Sequence, residues 1–133
     1  MIIGIGHDIV DVRRIECLLS KHESRFLKRV FTPGEQSYAI AYSAHRQRYV
    51  GILAKRFAAK EAASKALGTG FRNGISFQDI EVISRENGQP CLHLMGAAWR
   101  HAVSLASHEA SPRLFVTLSD EFPYASAVVV IEG

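Results

Sequence analysis

Two acidic side chains occupy positions where the surrounding pattern predicts buried apolar residues. Asp8 lies in the otherwise apolar stretch Ile5–Val10, which has the pattern of a strand. Glu61 follows Leu53 by eight residues and Phe57 by four, so on a helix these three residues share one face. A carboxylate at a core-facing position is costly unless it is paired, hydrogen-bonded or bound to a metal. The two acids are therefore the first candidates for chemistry.

Two interpretations of these acids remain open from their positions alone. In the first, each acid forms its own salt bridge, and Lys65, one helical turn after Glu61, is the obvious partner. In the second, Asp8 and Glu61 bind a hard divalent cation such as Mg²⁺, whose remaining ligands are water and substrate phosphate. Lys65 could then reach the phosphate that the metal holds, and this role is compatible with the ion pair.

The rest of the pattern predicts the elements that position these residues. Gly4 and Gly6 in the first strand would let another backbone approach closely. Thr32 and Glu35 form the capping box of a helix, and Gly68 is a natural C-cap for the long helix before it. The predicted elements are strands 2–12, 77–84, 91–94, 114–119 and 125–131, short helical turns 13–20 and 23–30, and helices 32–43, 48–67 and 95–108. Because the last four strands come as hairpins, we expect one α+β domain over residues 1–133, with a mostly antiparallel sheet packed with a long central helix.

Length and composition are those of a globular domain with a real core, since 47% of the 133 residues are apolar and 22% are charged. No apolar run approaches the roughly 20 residues that a membrane crossing needs, and the first residues lack the features of a secretory signal. Cys17 and Cys91 are too few and too far apart for a disulfide framework or a metal site. These features predict a cytoplasmic protein with two reduced thiols and no membrane partner.

The positive charge is concentrated in two segments. One holds Arg13, Arg14, Lys21, Arg25, Lys28 and Arg29, and the other holds Arg46, Arg48, Lys55, Arg56, Lys60 and Lys65. Each cluster is open to two interpretations, a solvated helix face or a surface for an acidic partner.

Two long motifs resemble those of the holo-[acyl-carrier-protein] synthases, a type of 4′-phosphopantetheinyl transferase. Residues 4–15 (GIGHDIVDVRRI) are similar to the family's N-terminal motif G-[IL]-G-x-D-I-x-[DE]-x-x-R-I. Residues 56–70 (RFAAKEAASKALGTG) resemble its second motif, R-F-[AS]-x-K-E-A-x-x-K-A-x-G-T-G, without departure. Shorter matches at 31–35, 73–74 and 87–90 fall in the expected order, so the resemblance covers essentially the whole chain.

The resemblance implies an enzyme that transfers the 4′-phosphopantetheine group of coenzyme A to a serine of an apo acyl carrier protein, releasing 3′,5′-ADP, as fatty acid biosynthesis requires. It implies that Asp8 and Glu61 hold Mg²⁺ and that Lys65 completes the catalytic group. The coenzyme A-binding residues would be Arg56, Lys65, Gly68, Asn87 and Pro90, and the residues that dock the acidic carrier would be Arg14, Arg25 and Arg29. The proton acceptor for the serine hydroxyl stays open between Glu61, Asp8 and a water at the metal.

The resemblance also implies a homotrimer with an active site at each subunit interface. The nucleotide would lie between the Gly68 region of one chain and the Asn87–Pro90 turn of another. Two positions depart from the common family pattern: His7 replaces a small or apolar residue, and Asp120 stands where a histidine often lies near the adenine.

The rival function from another class is a non-catalytic basic module that binds an acidic protein or RNA. Such a module would explain the basic clusters. It leaves Asp8 and Glu61 without a role, and the chain carries no recognisable nucleic-acid motif. We therefore expect an enzyme with no nucleic-acid partner.

Overall fold

The computed structural model describes all of residues 1–133. Its elements in chain order are β1 (Ile2–Asp11), α1 (Val12–Val30), α2 (Pro33–Ile40), α3 (Arg46–Ala66), a 3₁₀ helix (Phe77–Asp79), β2 (Ile80–Ser84), β3 (Pro90–Leu94), α4 (Gly96–Leu105), β4 (Arg113–Glu121) and β5 (Tyr124–Glu132). None of the helices combines the length and the apolar character that crossing a membrane requires.

All strand pairs are antiparallel, which confirms the predicted α+β class. One sheet has the order β1-β5-β4, so the last strand of the chain lies in its centre, and β2 and β3 form a separate hairpin. α3, the predicted long central helix, packs on β1 and β5. The chain thus places one metal-binding candidate on β1 and the other on the helix that packs against it.

Three predicted boundaries were wrong. The strand expected to begin at Phe77 begins at Ile80, after a 3₁₀ turn. α2 ends at Ile40 rather than near Ser43, and α4 ends at Leu105 rather than at His108. The two helical segments expected at 13–20 and 23–30 are present, because the backbone of α1 leaves helical geometry at His22 (φ −144°, ψ 42°), within the predicted polar break. Ile15, Leu19 and Phe26, on both sides of this kink, are buried in the same core.

The first strand lies against the backbone of α3 because of its two glycines. A Cβ atom at Gly4 would collide with the carbonyl oxygen of Ala66, and one at Gly6 would collide with that of Ala62. Only glycine allows this approach, as the sequence predicted. The consequence is that Asp8, two residues after Gly6, lies beside the last turns of α3.

The three-stranded sheet buries one face and leaves apolar residues on the other. The inner face contributes Ala125, Ala127, Val129 and Ile131 to the core. On the outer side, Ile5, Ile9 and Phe115 are 67%, 58% and 45% exposed. Ile5 and Phe115 both pair with Val130, so the apolar row crosses all three strands. We call Ile5, Ile9, Phe115, Val128 and Val130 the outer sheet face.

Candidate active site

The ammonium group of Lys65 joins α3 to β1 at the predicted site. Its Nζ lies 2.9 Å from Oδ1 of Asp8 and also donates a hydrogen bond to the carbonyl oxygen of His7, at 3.0 Å. The alternative ion pair between Glu61 and Lys65 is therefore not formed, because Lys65 pairs with Asp8. The reason is the close packing of β1 on α3, which offers Lys65 a carboxylate outside its own helix.

Glu61 shares this space with Asp8. Partial burial raises the pKa of the Glu61 carboxyl, and the negative charge of Asp8 raises it further, whereas the positive charges of Lys65 and Arg14 lower it. The charge of Asp8 acts on the Glu61 carboxyl, so the two acids, which are 53 residues apart in the sequence (61 − 8), lie within electrostatic range of each other. Their joint binding of a metal stays a prediction.

Two carboxylates near each other supply the oxygen ligands that a hard divalent ion takes from a protein. Two like charges at one place repel each other, and the Lys65 ammonium already neutralises one of them as a stand-in cation. No third His, Cys, Asp or Glu joins them to form a larger metal-ligating group. The donor set therefore fits a hard ion such as Mg²⁺, which keeps several ligand positions for water and substrate phosphate.

The raised pKa of Glu61 predicts how its isosteric replacement changes stability. Because the folded protein binds the Glu61 proton more tightly than the unfolded chain, the stabilisation from this group is complete at acid pH and is lost as pH rises through the folded pKa. We expect Glu61→Gln, which mimics the protonated acid, to raise the Tm at neutral pH without divalent ions. The gain should shrink on acidification.

Thermal unfolding in a chelator across a pH series checks this prediction. Mg²⁺ should reverse the order at neutral pH, because only the wild-type protein keeps both carboxylates. A Glu61→Gln protein that is less stable than wild type in chelator at neutral pH would show that the folded protein does not raise the pKa of the Glu61 carboxyl.

Arg56 is almost fully buried rather than open on the surface. Its side chain is stacked over the ring of Tyr38 at 4.2 Å and donates a hydrogen bond from Nη2 to Oγ of Ser84, at 3.0 Å. Its Nε is buried without a partner, and burial lowers the pKa of the guanidinium. A cavity of about 170 Å³ adjoins it, lined also by Gly34 and Glu81. Its contact with coenzyme A stays a prediction.

The other predicted nucleotide residues lie in two places on the chain. Gly68 follows α3 with a φ of 79°, and a Cβ atom there would meet no atom within 4 Å. Asn87 lies in the turn between β2 and β3, where its Oδ1 accepts from the backbone N–H of Gln89 at 3.0 Å, and Pro90 begins β3. The side-chain hydrogen bond of Asn87 stays within its own turn. The chain thus presents two separate nucleotide-binding candidates, one beside Lys65 and one on the hairpin.

The first basic cluster begins next to the candidate site. Arg14 lies 6.0 Å above the ring of Phe57, and its charge lowers the pKa of Glu61. Arg25 and Arg29 are exposed further along α1. The helix therefore provides a positive surface that starts beside the acids, which is the arrangement expected of a docking surface for an acidic partner.

The two residues that depart from the family pattern have clear local roles. Asp120 forms an ion pair with Lys55 at 3.3 Å. The backbone carbonyl oxygen of His7 accepts a hydrogen bond from Lys65. His7 itself is exposed on β1 and pairs with Val128 of β5 in the sheet. Neither side chain belongs to the pair of candidate metal ligands.

Sequence reasoning missed a buried ion pair next to the site. Nζ of Lys60 lies 2.6 Å from Oε1 of Glu35, and both side chains are completely buried. Lys60 was counted only as part of a basic cluster, and Glu35 only as part of a capping box. The signal that could have revealed the pair is the run of alanines on both sides of Lys60, which marks a helix surrounded by core.

Known proteins resemble this chain over its whole length. Residues 4–127 match the 4′-phosphopantetheinyl transferase superfamily. The holo-[acyl-carrier-protein] synthase of Granulibacter bethesdensis is 47% identical over 133 residues, which are 100% of this chain and 90% of that protein. The corresponding Brucella ovis protein is 43% identical, over 100% of this chain and 96% of its own length.

Solved structures agree with the sequence matches. The holo-[acyl-carrier-protein] synthase of Neisseria meningitidis superposes with a TM-score of 0.82 at 38% identity, covering 100% of both chains. The Helicobacter pylori synthase in complex with coenzyme A gives a TM-score of 0.75 at 30% identity, covering 96% of this chain and 99% of the other. With both acid-bearing motifs in place and the fold matched from end to end, this chain belongs to the 4′-phosphopantetheinyl transferase superfamily, in its holo-[acyl-carrier-protein] synthase branch.

Proposed function

We propose that this protein transfers 4′-phosphopantetheine from coenzyme A to a serine of an apo acyl carrier protein and releases 3′,5′-ADP. The observation that supports the proposal is the contact of Lys65 with Asp8, together with the influence of the charges of Asp8, Lys65 and Arg14 on Glu61. Relatives with 41–47% identity are holo-[acyl-carrier-protein] synthases, and the Helicobacter pylori enzyme binds coenzyme A. A purely binding module would have no use for two acids at the edge of a positive surface.

The reaction depends on Mg²⁺ held by Asp8 and Glu61. When bound there, the ion supplies positive charge to the phosphate oxygens as negative charge develops in the transition state. Lys65, which bonds to Asp8, would pair its ammonium with the transferring phosphoryl group or the departing nucleotide if Asp8 held the ion instead. Asp8 or Glu61 can accept the proton that the serine hydroxyl must lose.

The coenzyme A molecule contacts the chain at the residues named by the family motifs. Gly68, next to the last turn of α3, lets the nucleotide approach the backbone, since no side chain fills that space. Arg56 places its guanidinium beside a cavity of about 170 Å³, where it suits a phosphate oxygen. Asn87 and Pro90 border the nucleotide from the hairpin.

The functional unit is a homotrimer with one site at each interface. The outer sheet face supports this proposal, because an apolar row across three strands is a typical protein–protein contact and is costly to leave in water. Assembly would bring the Asn87–Pro90 turn of one chain to the Gly68 region of another. The natural setting of the enzyme is the cytoplasm, where it would serve fatty acid biosynthesis.

Mass measurement of the carrier tests the proposed function directly. The protein is incubated with coenzyme A, Mg²⁺ and an apo acyl carrier protein, and the carrier should gain the mass of one phosphopantetheine group. Omission of Mg²⁺ with a chelator present should abolish the gain. A carrier that binds the protein tightly but never gains mass would favour the non-catalytic binding module instead.

Charge reversal on α1 should weaken carrier recognition selectively. We expect Arg25→Glu to raise the apparent KM for the carrier by about tenfold or more, because a like-charge contact replaces an attractive one, with little change in the KM for coenzyme A. Steady-state kinetics with each substrate varied in turn provide the measurement. Arg100→Glu, the same change at an exposed arginine of α4, is the matched control. Equal effects on both KM values would count against the docking surface.

A further inference from the structure

Lys60 forms three hydrogen bonds with groups from three other parts of the chain. Besides Oε1 of Glu35 at 2.6 Å, its Nζ donates to the carbonyl oxygen of Val30 at 2.7 Å and to that of Phe77 at 2.9 Å. An ammonium group has three N–H donors, so each has a partner. Lys60 thereby ties α3 to the end of α1, to the first turn of α2 and to the 3₁₀ helix.

Glu35 completes this arrangement on the other side. Its Oε1 accepts a hydrogen bond from the backbone N–H of Thr32, and its Oε2 accepts one from the backbone N–H of Val82, both at 2.9 Å. Both carboxylate oxygens are therefore satisfied without water, and β2 is added to the connected elements. We call Lys60 and Glu35 the buried pair.

Stability alone does not explain the buried pair. Removing two charges from water carries a large desolvation cost, and replacing such a pair with apolar residues is often neutral or stabilising. Burial indeed lowers the pKa of Lys60, although the charge of Glu35 opposes this effect. Unlike an apolar contact, the buried pair is directional. Its hydrogen bonds fix the distances and angles between α3 and four neighbouring segments.

Direction matters in the second half of α3, because the other buried side chains there are small. From residue 58 onward they are Ala58, Ala59, Ala62, Ala63, Ser64 and Ala66, whereas the large buried residues Leu53 and Phe57 lie in the preceding turns. The glycines of β1 set how closely the strand approaches the helix, but alanine methyl groups offer little resistance to sliding or rotation. Lys60 immediately precedes Glu61, so a shift of its turn moves the Glu61 carboxylate relative to Asp8.

We propose that the buried pair of Lys60 and Glu35 positions the Glu61 carboxylate against Asp8 and so sets the affinity of this two-carboxylate site for a divalent cation. Lys60 and Glu35 touch neither substrate nor metal and act only through α3, as positioning residues. The inference rests on the metal site of the proposed function. Residues that orient metal ligands without touching the metal typically contribute about 10- to 100-fold to metal affinity.

The test compares Mn²⁺ affinity in variants of the full-length protein. Mn²⁺ accepts the same oxygen ligands as Mg²⁺, and its unbound fraction can be followed by electron paramagnetic resonance. The double variant Lys60→Met with Glu35→Gln removes both charges together, so that neither is left buried alone. Measured well below its Tm, it should bind Mn²⁺ about tenfold or more weakly. Its kcat at a fixed, limiting Mg²⁺ concentration should fall and recover with added metal, while the KM for the carrier stays unchanged.

The matched control is Lys55→Met on the same helix, which removes the surface ion pair with Asp120 and should leave Mn²⁺ affinity unchanged. If the double variant does not fold, Glu35→Asp withdraws the carboxylate by one methylene while keeping its charge, and the same weakening is expected. Unchanged Mn²⁺ affinity in a folded variant of the buried pair overturns the inference, even if its Tm is lower. If Asp8→Asn binds Mn²⁺ as tightly as wild type, the metal site itself is wrong and the inference fails with it.

Discussion

Replacing either acid of the candidate site by its amide should reduce phosphopantetheine transfer by about 10²–10³-fold or more, since each variant weakens the hold on the cation that would stabilise the negative charge of the transition state. Asp8→Asn and Glu61→Gln keep the shape of the side chains and lose one negative charge each. The physical reason is that Mg²⁺ relies on these two carboxylates as its protein ligands and on water and substrate for the rest. The rate is measured from the mass of the carrier at saturating coenzyme A and Mg²⁺.

Glu132→Gln provides the control for these substitutions. Glu132 is also a strand residue next to an arginine, with 3.9 Å between its Oε1 and Nη1 of Arg113, but it lies at the end of β5 rather than at the site. Its replacement should leave the transfer rate unchanged. Mn²⁺ binding should be lost in parallel with activity in Asp8→Asn and Glu61→Gln. Full activity in either amide variant would refute the assigned metal ligands.

A charge on the outer sheet face should prevent assembly of the proposed trimer and remove most of the activity. Phe115→Arg places a guanidinium in the middle of an apolar row, where three copies would have to desolvate three like charges. Light scattering should give a mass near the 14.7 kDa of one chain instead of three times that value. Transfer should fall by about 10²-fold or more, because misplaced binding groups alone can have that effect and the Asn87–Pro90 turn would no longer reach the Gly68 region of a neighbour.

Val103→Arg is a closely matched control for this substitution. Val103 is an apolar residue with the same 45% exposure as Phe115, but it lies on α4. The variant should remain trimeric and active. A Phe115→Arg protein that stays trimeric would show that copies associate through another surface. A monomer with full activity would show that one chain contains the whole site.

The sequence by itself determined the features that depend on neighbours in the chain. The glycines of β1, the capping box of α2 and the succession of the last four strands as hairpins each depend on a few neighbouring residues, so the antiparallel α+β fold and the long helix could be predicted. The two acids could be singled out for the same reason. A carboxylate in an apolar strand or on a core-facing helical position is improbable on local grounds alone, and its chemistry follows from its type.

The tertiary structure decided which charged groups became partners. Lys65 follows Glu61 by one helical turn and could pair with it, yet it pairs with Asp8. The reason is that Gly4 and Gly6 bring β1 within reach of the Lys65 side chain. Lys60 appears in the sequence as one more surface cation, but the segments around α3 bury it together with Glu35. The energy of an ion pair depends on distance and on the exclusion of water, and both are set only when separate elements pack together.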